Sequence, residues 1–369
     1  MTMEIGKKGE QSCLLSQIQT AGVERANYNA LDVIKFLLAI FLVCAHTASE
    51  RVSLPGALDM FCSLYVIIVP FFFVASSFLF FRKLELQDGA GRKKAWKRYT
   101  RRVLGMYLAW SVIYFCFIVA KWLLYGCSAG DVARYFHHAV VYSTYSTIWF
   151  LPALWVGVSL VYLCRYHLRC GIRSLLALAA FLYLVGALGY SFHTLTPFTE
   201  RLHEAYSSVF VTWRNGLFNA FPFAVIGCLI AVRAGGARGG YCLIGTLAFG
   251  ALFVAEAIGL KRFCPAADAN FLLMLLPFSY FFVQLVLQIR MPDSCVYVPL
   301  RKMSMLIFVS QRIVLTAIPS VLGAGVITGF WDVTDNGILA MTSVVVEVCL
   351  LSFVLMEGAK KYKVLGYLM

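Results

Sequence analysis

The sequence predicts an all-α, polytopic integral membrane protein of about ten transmembrane helices, with both termini on the cytoplasmic side. Of its 369 residues, 61% are hydrophobic and 14% are charged, and the mean hydropathy is +0.79. An average soluble domain is about a quarter charged. A chain this apolar has too few polar residues to cover a water-facing surface, which excludes a soluble enzyme, a disordered chain and a fibrous protein.

The spans follow from the apolar runs, because a helix needs about 20 residues to cross ~30 Å of hydrocarbon. Residues 1–28 are polar and contain no signal-peptide core, so we expect a cytoplasmic tail there. Residues 29–357 form the predicted membrane domain, and 358–369 form a second cytoplasmic tail. The predicted spans lie near 30–49, 58–81, 103–124, 147–164, 174–192, 215–232, 241–259, 271–289, 303–323 and 338–356.

The distribution of basic residues predicts the orientation. With the N-terminus inside, 23 Lys and Arg residues fall in inner segments and 7 in outer segments, while two lie within spans. Cytoplasmic loops collect Lys and Arg, so the N-in, C-in topology is favoured. The net charge of +14 then reflects topology, and we expect no nucleic-acid partner.

The cysteines predict neither a disulfide framework nor a metal centre. Most of the twelve lie inside apolar runs, where a thiol behaves as a small hydrophobic group. No Cys or His cluster has the spacing of a metal site, so no metal is expected.

The first span carries the densest set of polar residues: Asp32, Lys35 and His46, with Glu50 just beyond. His46 follows Lys35 by eleven positions, so both side chains point the same way, ~16 Å apart at 1.5 Å per residue. Asp32 can pair with Lys35, and Glu50 can orient His46. A long polyanionic donor would fit this layout, with a neutral histidine accepting a proton from a hydroxyl. The alternative is a structural ion pair and an interhelical hydrogen bond.

Polar residues in the later spans are interpreted as structural partners within the bundle, the alternative being a share in a tunnel. They are Glu256, Gln284, Arg312 and Glu347.

Several segments, taken in order, resemble the acyltransferase-3 family of membrane acyltransferases. The first-helix signature of that family is a Leu-Asp pair, then Arg or Lys, ten residues and His. The resembling segments are LDVIK at 31–35 through His46, VPFFFVASSF at 69–78, KRYTRRVLGMY at 97–107, IWFL at 148–151, RNGLF at 214–218 and SMLIFVSQ at 304–311.

The resemblance implies transfer of an acyl group, commonly acetyl, from cytoplasmic acyl-CoA to a hydroxyl of an envelope polysaccharide, glycolipid or lipid-linked sugar. It implies a bacterial inner (plasma) membrane location with acyl-CoA, the glycan acceptor and membrane lipid as partners; a homodimer stays open. The resemblance implies His46 as the catalytic base, with Glu50 beside it. The residues implied to bind the CoA phosphates are Lys35, Arg98, Arg101 and Arg102. Those implied to line the acceptor side are Trp149 and Arg214. The basic run could instead reflect topology alone, and Trp149 and Arg214 could be interface anchors.

Three positions depart from the family pattern. Lys35 stands where Arg is commoner, Ser77 stands where Gly is usual, and Gln311 stands where a late His usually falls. Gln311 exchanges no proton, so its expected role is hydrogen bonding.

Two other hypotheses for the function stay open. One is a carrier for a serine-like amino acid, because the membrane portion of vancomycin-resistance serine racemases resembles this family. The other is a catalytically silent scaffold.

Overall fold

The first predicted span forms helix α1, Asn29–Arg51, in the computed structural model, which describes residues 28–51, 63–233, 239–264, 268–322 and 337–369. No strand occurs in these ranges. The longer helices that follow are α2 (Ile68–Glu85), α3 (Gly89–Tyr125), α4 (Ala129–Val141), α5 (Phe150–Tyr162), α6 (Ile172–Gly189), α7 (Pro197–Phe210), α8 (Phe221–Val232), α9 (Gly239–Phe263), α10 (Leu275–Gln288), α11 (Tyr297–Arg312) and α12 (Gly337–Lys361).

Short helical turns extend or join several of these helices. Those with 3₁₀ geometry are Ser63–Ile67 before α2, His193–Leu195, Ala269–Phe271 and the C-terminal Lys363–Leu368. Those with π geometry are Leu163–His167 after α5, Gly216–Ala220 before α8 and Ile313–Ala317 after α11, which the short α-helix Ile318–Leu322 continues.

The all-α, multi-pass prediction is confirmed. Within the described residues, seven helices are long and apolar enough to cross a membrane, and α8 with its π turn and α10 are shorter apolar helices. Each of the ten predicted spans overlaps a helix of the described residues, with different bounds. The count of ten and the N-in orientation stay predictions.

The basic segment before the third span is helical rather than a loop. The Asp88 side chain accepts a hydrogen bond from the backbone N–H of Gly91 at 2.7 Å, which caps α3. The helix then continues through the basic residues into the apolar run without a break. One rigid element therefore carries both the cations and the membrane span.

Helix α1 packs along α11 and also contacts α12, α2 and α10. Helix α8 packs along α2 at a close approach, where a Cβ on Gly227 would lie 2.6 Å from the carbonyl oxygen of Val74 and 2.7 Å from the Cβ of Ser77. Small residues at helix contacts let backbones approach in membranes. The small residue at this crossing is on α8, so Ser77 does not prevent close packing.

The C-terminal turn packs against α3. The indole Nε1 of Trp110 donates a hydrogen bond to the carbonyl oxygen of Leu368 at 3.2 Å, and both residues are buried.

Of the two predicted tails, the N-terminal one, residues 1–28, lies outside the described residues except for Tyr28.

Candidate functional site

Two cavities lie along α1, one beside Lys35 and the other beside His46. The two residues are separated by eleven positions on one helix, or ~16 Å at 1.5 Å per residue. The structure therefore places the predicted cation and the predicted base in separate chambers.

The first chamber, the basic cavity, has a volume of about 300 Å³. Its apolar wall includes Phe72, Leu79, Phe80 and Met106, and Ser76 and Ser304 also line it. Five cationic side chains line it: Lys35, Lys83, Arg98, Arg102 and Arg301. No carboxylate is among its lining residues in the described part of the chain. A cavity of this composition fits a ligand with several negative charges and an apolar or extended arm.

Helical periodicity on α3 selects which predicted cations reach this cavity. Arg98 and Arg102 are four residues apart, on the face that also presents Tyr99 and Met106 to the cavity. Arg101 is one position before Arg102, so it projects about 100° away around the helix, and it does not line the cavity. The structure thus brings Arg98 and Arg102 together with Lys35, but not Arg101.

Asp32 pairs with Arg301 and not with Lys35. The Arg301 guanidinium donates from Nη2 to Oδ2 at 2.6 Å and from Nε to both carboxylate oxygens at 3.0 Å. The planar guanidinium matches the carboxylate better than an ammonium does. The expected Asp32–Lys35 pair is therefore corrected, and buried Lys35 lies on the cavity wall.

The second chamber, the histidine cavity, has a volume of about 110 Å³. It lies against the C-terminal half of α1 and is bounded by residues from five other parts of the chain. Its polar and aromatic lining residues are His46, Tyr65, Ser146, Thr147, Trp149, Arg214, Asn270, Phe308, Gln311 and Arg312. Three predicted site residues, His46, Trp149 and Arg214, thus meet in one small chamber.

The hydrogen bonds of Gln311 determine which ring nitrogen of His46 carries a proton. The amide Nε2 of Gln311 donates to the carbonyl oxygen of Phe308 at 3.0 Å, so its Oε1 faces Nδ1 of His46, also at 3.0 Å. An amide oxygen only accepts, so Nδ1 carries the proton. In the neutral imidazole, Nε2 then holds the lone pair, as a general base requires.

Arg214 is held by aromatic rings. Its guanidinium carbon lies 5.6 Å from the centre of Trp149 and 5.9 Å from the centre of Tyr190, which are cation–π contacts. Its Nε is buried and donates no hydrogen bond to any described residue. Rings that stack on the guanidinium leave its charge available to a ligand in the cavity.

Arg312 lines the histidine cavity, next to Gln311 in the chain. The sequence interpreted it as a structural partner within the bundle, with a share in a tunnel as the alternative, and its place in the cavity favours that alternative. An arginine inside an apolar span is a functional candidate by default. Glu256 fits the structural interpretation, since its carboxylate accepts the backbone N–H groups of Leu273 and Met274 at 2.6 and 2.8 Å.

Glu50, the second predicted catalytic residue, lies at the end of α1, and its side chain is outside the described part of the chain.

Comparisons with known proteins identify the family of the chain. A family model described as an acyltransferase domain, Acyl_transf_3, matches residues 28–357. An amino-acid racemase from Enterococcus faecalis is 25% identical over 205 residues, which cover 54% of this chain and 28% of that protein. The chain thus spans well under half the length of this relative, and no solved structure matches it. Since the family model covers nearly the whole chain, the protein belongs to the acyltransferase-3 family of membrane acyltransferases.

Proposed function

We propose that the protein moves an acyl group, with acetyl as the first candidate, from cytoplasmic acyl-CoA to a hydroxyl of an envelope polysaccharide, glycolipid or lipid-linked sugar at the bacterial inner membrane. The observation that carries the proposal is the placement of Lys35 and His46 on one helix, in two chambers ~16 Å apart at 1.5 Å per residue. Membrane acyltransferase activity is what the family supports. The identities of the acyl donor, the acceptor and the catalytic base are the parts of this function that we propose.

On the donor side, Lys35, Arg98 and Arg102 would bind the phosphates of CoA, with Lys83 and Arg301 nearby. Clustered cations bind phosphate oxygens through charge-assisted hydrogen bonds. The apolar wall at Phe72 and Met106 suits the pantetheine arm. In this pose the thioester points along α1 towards His46.

On the acceptor side, Nε2 of His46 would take the proton from the attacking hydroxyl. The hydroxyl oxygen bonds to the thioester carbonyl carbon, the carbon–sulfur bond breaks, and the sulfur takes the proton from the imidazolium. The products are an ester and free CoA, and His46 returns to its neutral form. The guanidinium groups of Arg214 and Arg312, which line the same cavity, would stabilise negative charge on the carbonyl oxygen.

The acceptor would enter the histidine cavity beside Trp149 and Tyr65. Aromatic faces and a buried guanidinium suit a hydroxylated ring more than an alkyl chain. The hydrocarbon part of a lipid-linked acceptor would remain in the bilayer.

A carrier for an amino-acid-like solute is the second candidate. The observation in its favour is the similarity to a protein described as an amino-acid racemase. The guanidinium groups of Arg214 and Arg312 could hold a carboxylate in this case. A carrier, however, gives no role to Arg98 and Arg102 in the basic cavity.

The two candidates are separated by one preparation assayed in two ways. Purified protein in liposomes is given labelled acetyl-CoA and, separately, labelled serine. Release of CoA with acetylation of added membrane glycans supports the acyltransferase. Serine accumulation without CoA release would support the carrier and overturn the proposal.

A further inference from the structure

Three phenylalanine rings separate the two cavities. Phe72 of α2 lines the basic cavity and Phe308 of α11 lines the histidine cavity, and their ring centres are 5.4 Å apart. Phe150 of α5 completes the set, 6.2 Å from Phe72 and 5.0 Å from Phe308. All three are at most 3% exposed. We call them the aromatic partition.

Neighbouring side chains support the partition. Phe73 stacks on Phe150 with ring centres 4.7 Å apart, and Leu154 of α5 borders the basic cavity. Phe72 and Phe308 line different chambers and contact one another, so this pair of rings lies between the two chambers. Apolar ring surface at this point opposes the passage of water and ions.

The position of the partition bears on acyl transfer. Under the proposed function, CoA binds on the Lys35 side and the base lies on the His46 side, so the thioester must reach past these rings. Aromatic rings in a packed core move by discrete steps and resist overfilling. The histidine cavity beyond them, at about 110 Å³, is the smaller chamber and must also admit the acceptor hydroxyl.

We infer that the aromatic partition is the constriction through which the acyl group passes, and that Phe72, Phe150 and Phe308 restrict the donor to short acyl chains. The inference rests on the proposed function for its donor. The partition would also keep the two sides of the membrane apart when no donor is bound.

The first test compares donors of increasing length: acetyl-CoA, butyryl-CoA and hexanoyl-CoA. We expect the wild type to prefer acetyl, and Phe72→Leu and Phe308→Leu to shift the ratio of kcat/KM towards butyryl by about tenfold or more, the range expected when a pocket gains room for methylene groups. Phe78→Leu is the matched control, because Phe78 is also buried on α2 but contacts Tyr28 and borders neither cavity. Unchanged ratios in both partition variants would overturn the inference.

A second test does not depend on turnover. Ser146→Cys places a thiol in the histidine cavity and Ser76→Cys places one in the basic cavity. Each variant is treated with a membrane-impermeant methanethiosulfonate reagent in inside-out and in right-side-out vesicles, and labelling is assigned by peptide mass spectrometry. We expect each thiol to react from one side, and from opposite sides.

Adding Phe72→Ala and Phe308→Ala should make the thiol of Ser146→Cys reactive from both sides, while its original reactivity shows that the protein is folded. Reaction from both sides with the rings intact, or from one side only after both are removed, would contradict the partition. If acyl-CoA is not consumed at all, the proposed function fails, whereas the labelling result still decides whether the rings separate the chambers.

Discussion

Nδ1 of His46 lies 3.0 Å from Oε1 of Gln311, although the two residues are 265 positions apart in the chain. The Gln311 amide is fixed in turn by its hydrogen bond to the carbonyl oxygen of Phe308. This chain of bonds assigns the tautomer of His46 and leaves Nε2 as the basic nitrogen. An amide at this position therefore orients the imidazole of His46 without exchanging a proton.

Removing the Gln311 amide should slow catalysis without abolishing binding. Gln311→Leu no longer fixes the tautomer, so we expect kcat to fall on the order of 10- to 100-fold with little change in KM for acetyl-CoA, a fraction of what a general base contributes. Gln311→Glu keeps an acceptor oxygen towards Nδ1 but loses the donor to the carbonyl oxygen of Phe308, so its loss of kcat should be smaller than that of Gln311→Leu. Steady-state kinetics of both variants test this, and equal losses in the two would argue against an orienting role.

Lys35 should affect the donor rather than the chemical step. Lys35→Ala removes a charge from the basic cavity, and a charge-assisted hydrogen bond is worth about 1.5–3 kcal/mol, so KM for acetyl-CoA should rise about 10- to 100-fold. Lys35→Arg, which keeps the charge and adds the planar donor set, should restore it. A Lys35→Ala protein with unaltered acyl-CoA kinetics would exclude the phosphate role.

Helix α3 offers two test substitutions and a matched control. Arg98→Ala and Arg102→Ala remove cations that line the basic cavity, and each should raise KM for acetyl-CoA by about tenfold. Arg101→Ala removes the same charge from the neighbouring position outside the lining, and we expect a change of less than about twofold. If all three variants behave alike, the basic run acts through overall charge and not through the cavity.

The α2–α8 contact should tolerate no added carbon at Gly227. A Cβ there would meet Val74 O, Ser77 Cβ and Phe78 N at 2.6–2.8 Å, all fixed atoms of α2, so Gly227→Ala should destabilise the fold by about 1–3 kcal/mol. Gly259→Ala, which meets no atom within 4 Å, is the control and should be neutral or slightly stabilising. The melting temperature in detergent measures both, and an unchanged value for Gly227→Ala would contradict the close approach.

The sequence predicted the relative positions of side chains that depend only on spacing within one helix. Lys35 and His46 are fixed relative to one another by helix geometry alone, and the apolar runs predicted the helices. The partners that come from distant segments were not predictable in this way. Arg301 binds Asp32 from 269 positions away, and Arg312 joins His46 only through the packing of α11 along α1.

The predicted third span began at residue 103, so the basic residues before it were not assigned to a helix, and helical periodicity was not used to separate Arg98 and Arg102 from Arg101. The family resemblance implied that Trp149 and Arg214 bind the acceptor. The structure places both in the histidine cavity. Their cation–π contact depends on the turn before α8 and could not be derived from spacing.

The central claim is that His46 is the base that activates the acceptor. The most direct measurement is acetyl-CoA-dependent acetylation of membrane glycans by purified protein in liposomes, comparing the wild type with His46→Ala and with His203→Ala. His203 is a histidine of α7 whose Nδ1 lies 2.6 Å from the carbonyl oxygen of Gly189, outside both cavities. We expect His46→Ala to lose at least about 10²-fold in kcat, the contribution of a general base, while His203→Ala keeps its activity. Transfer at the wild-type rate by folded His46→Ala protein would contradict the account.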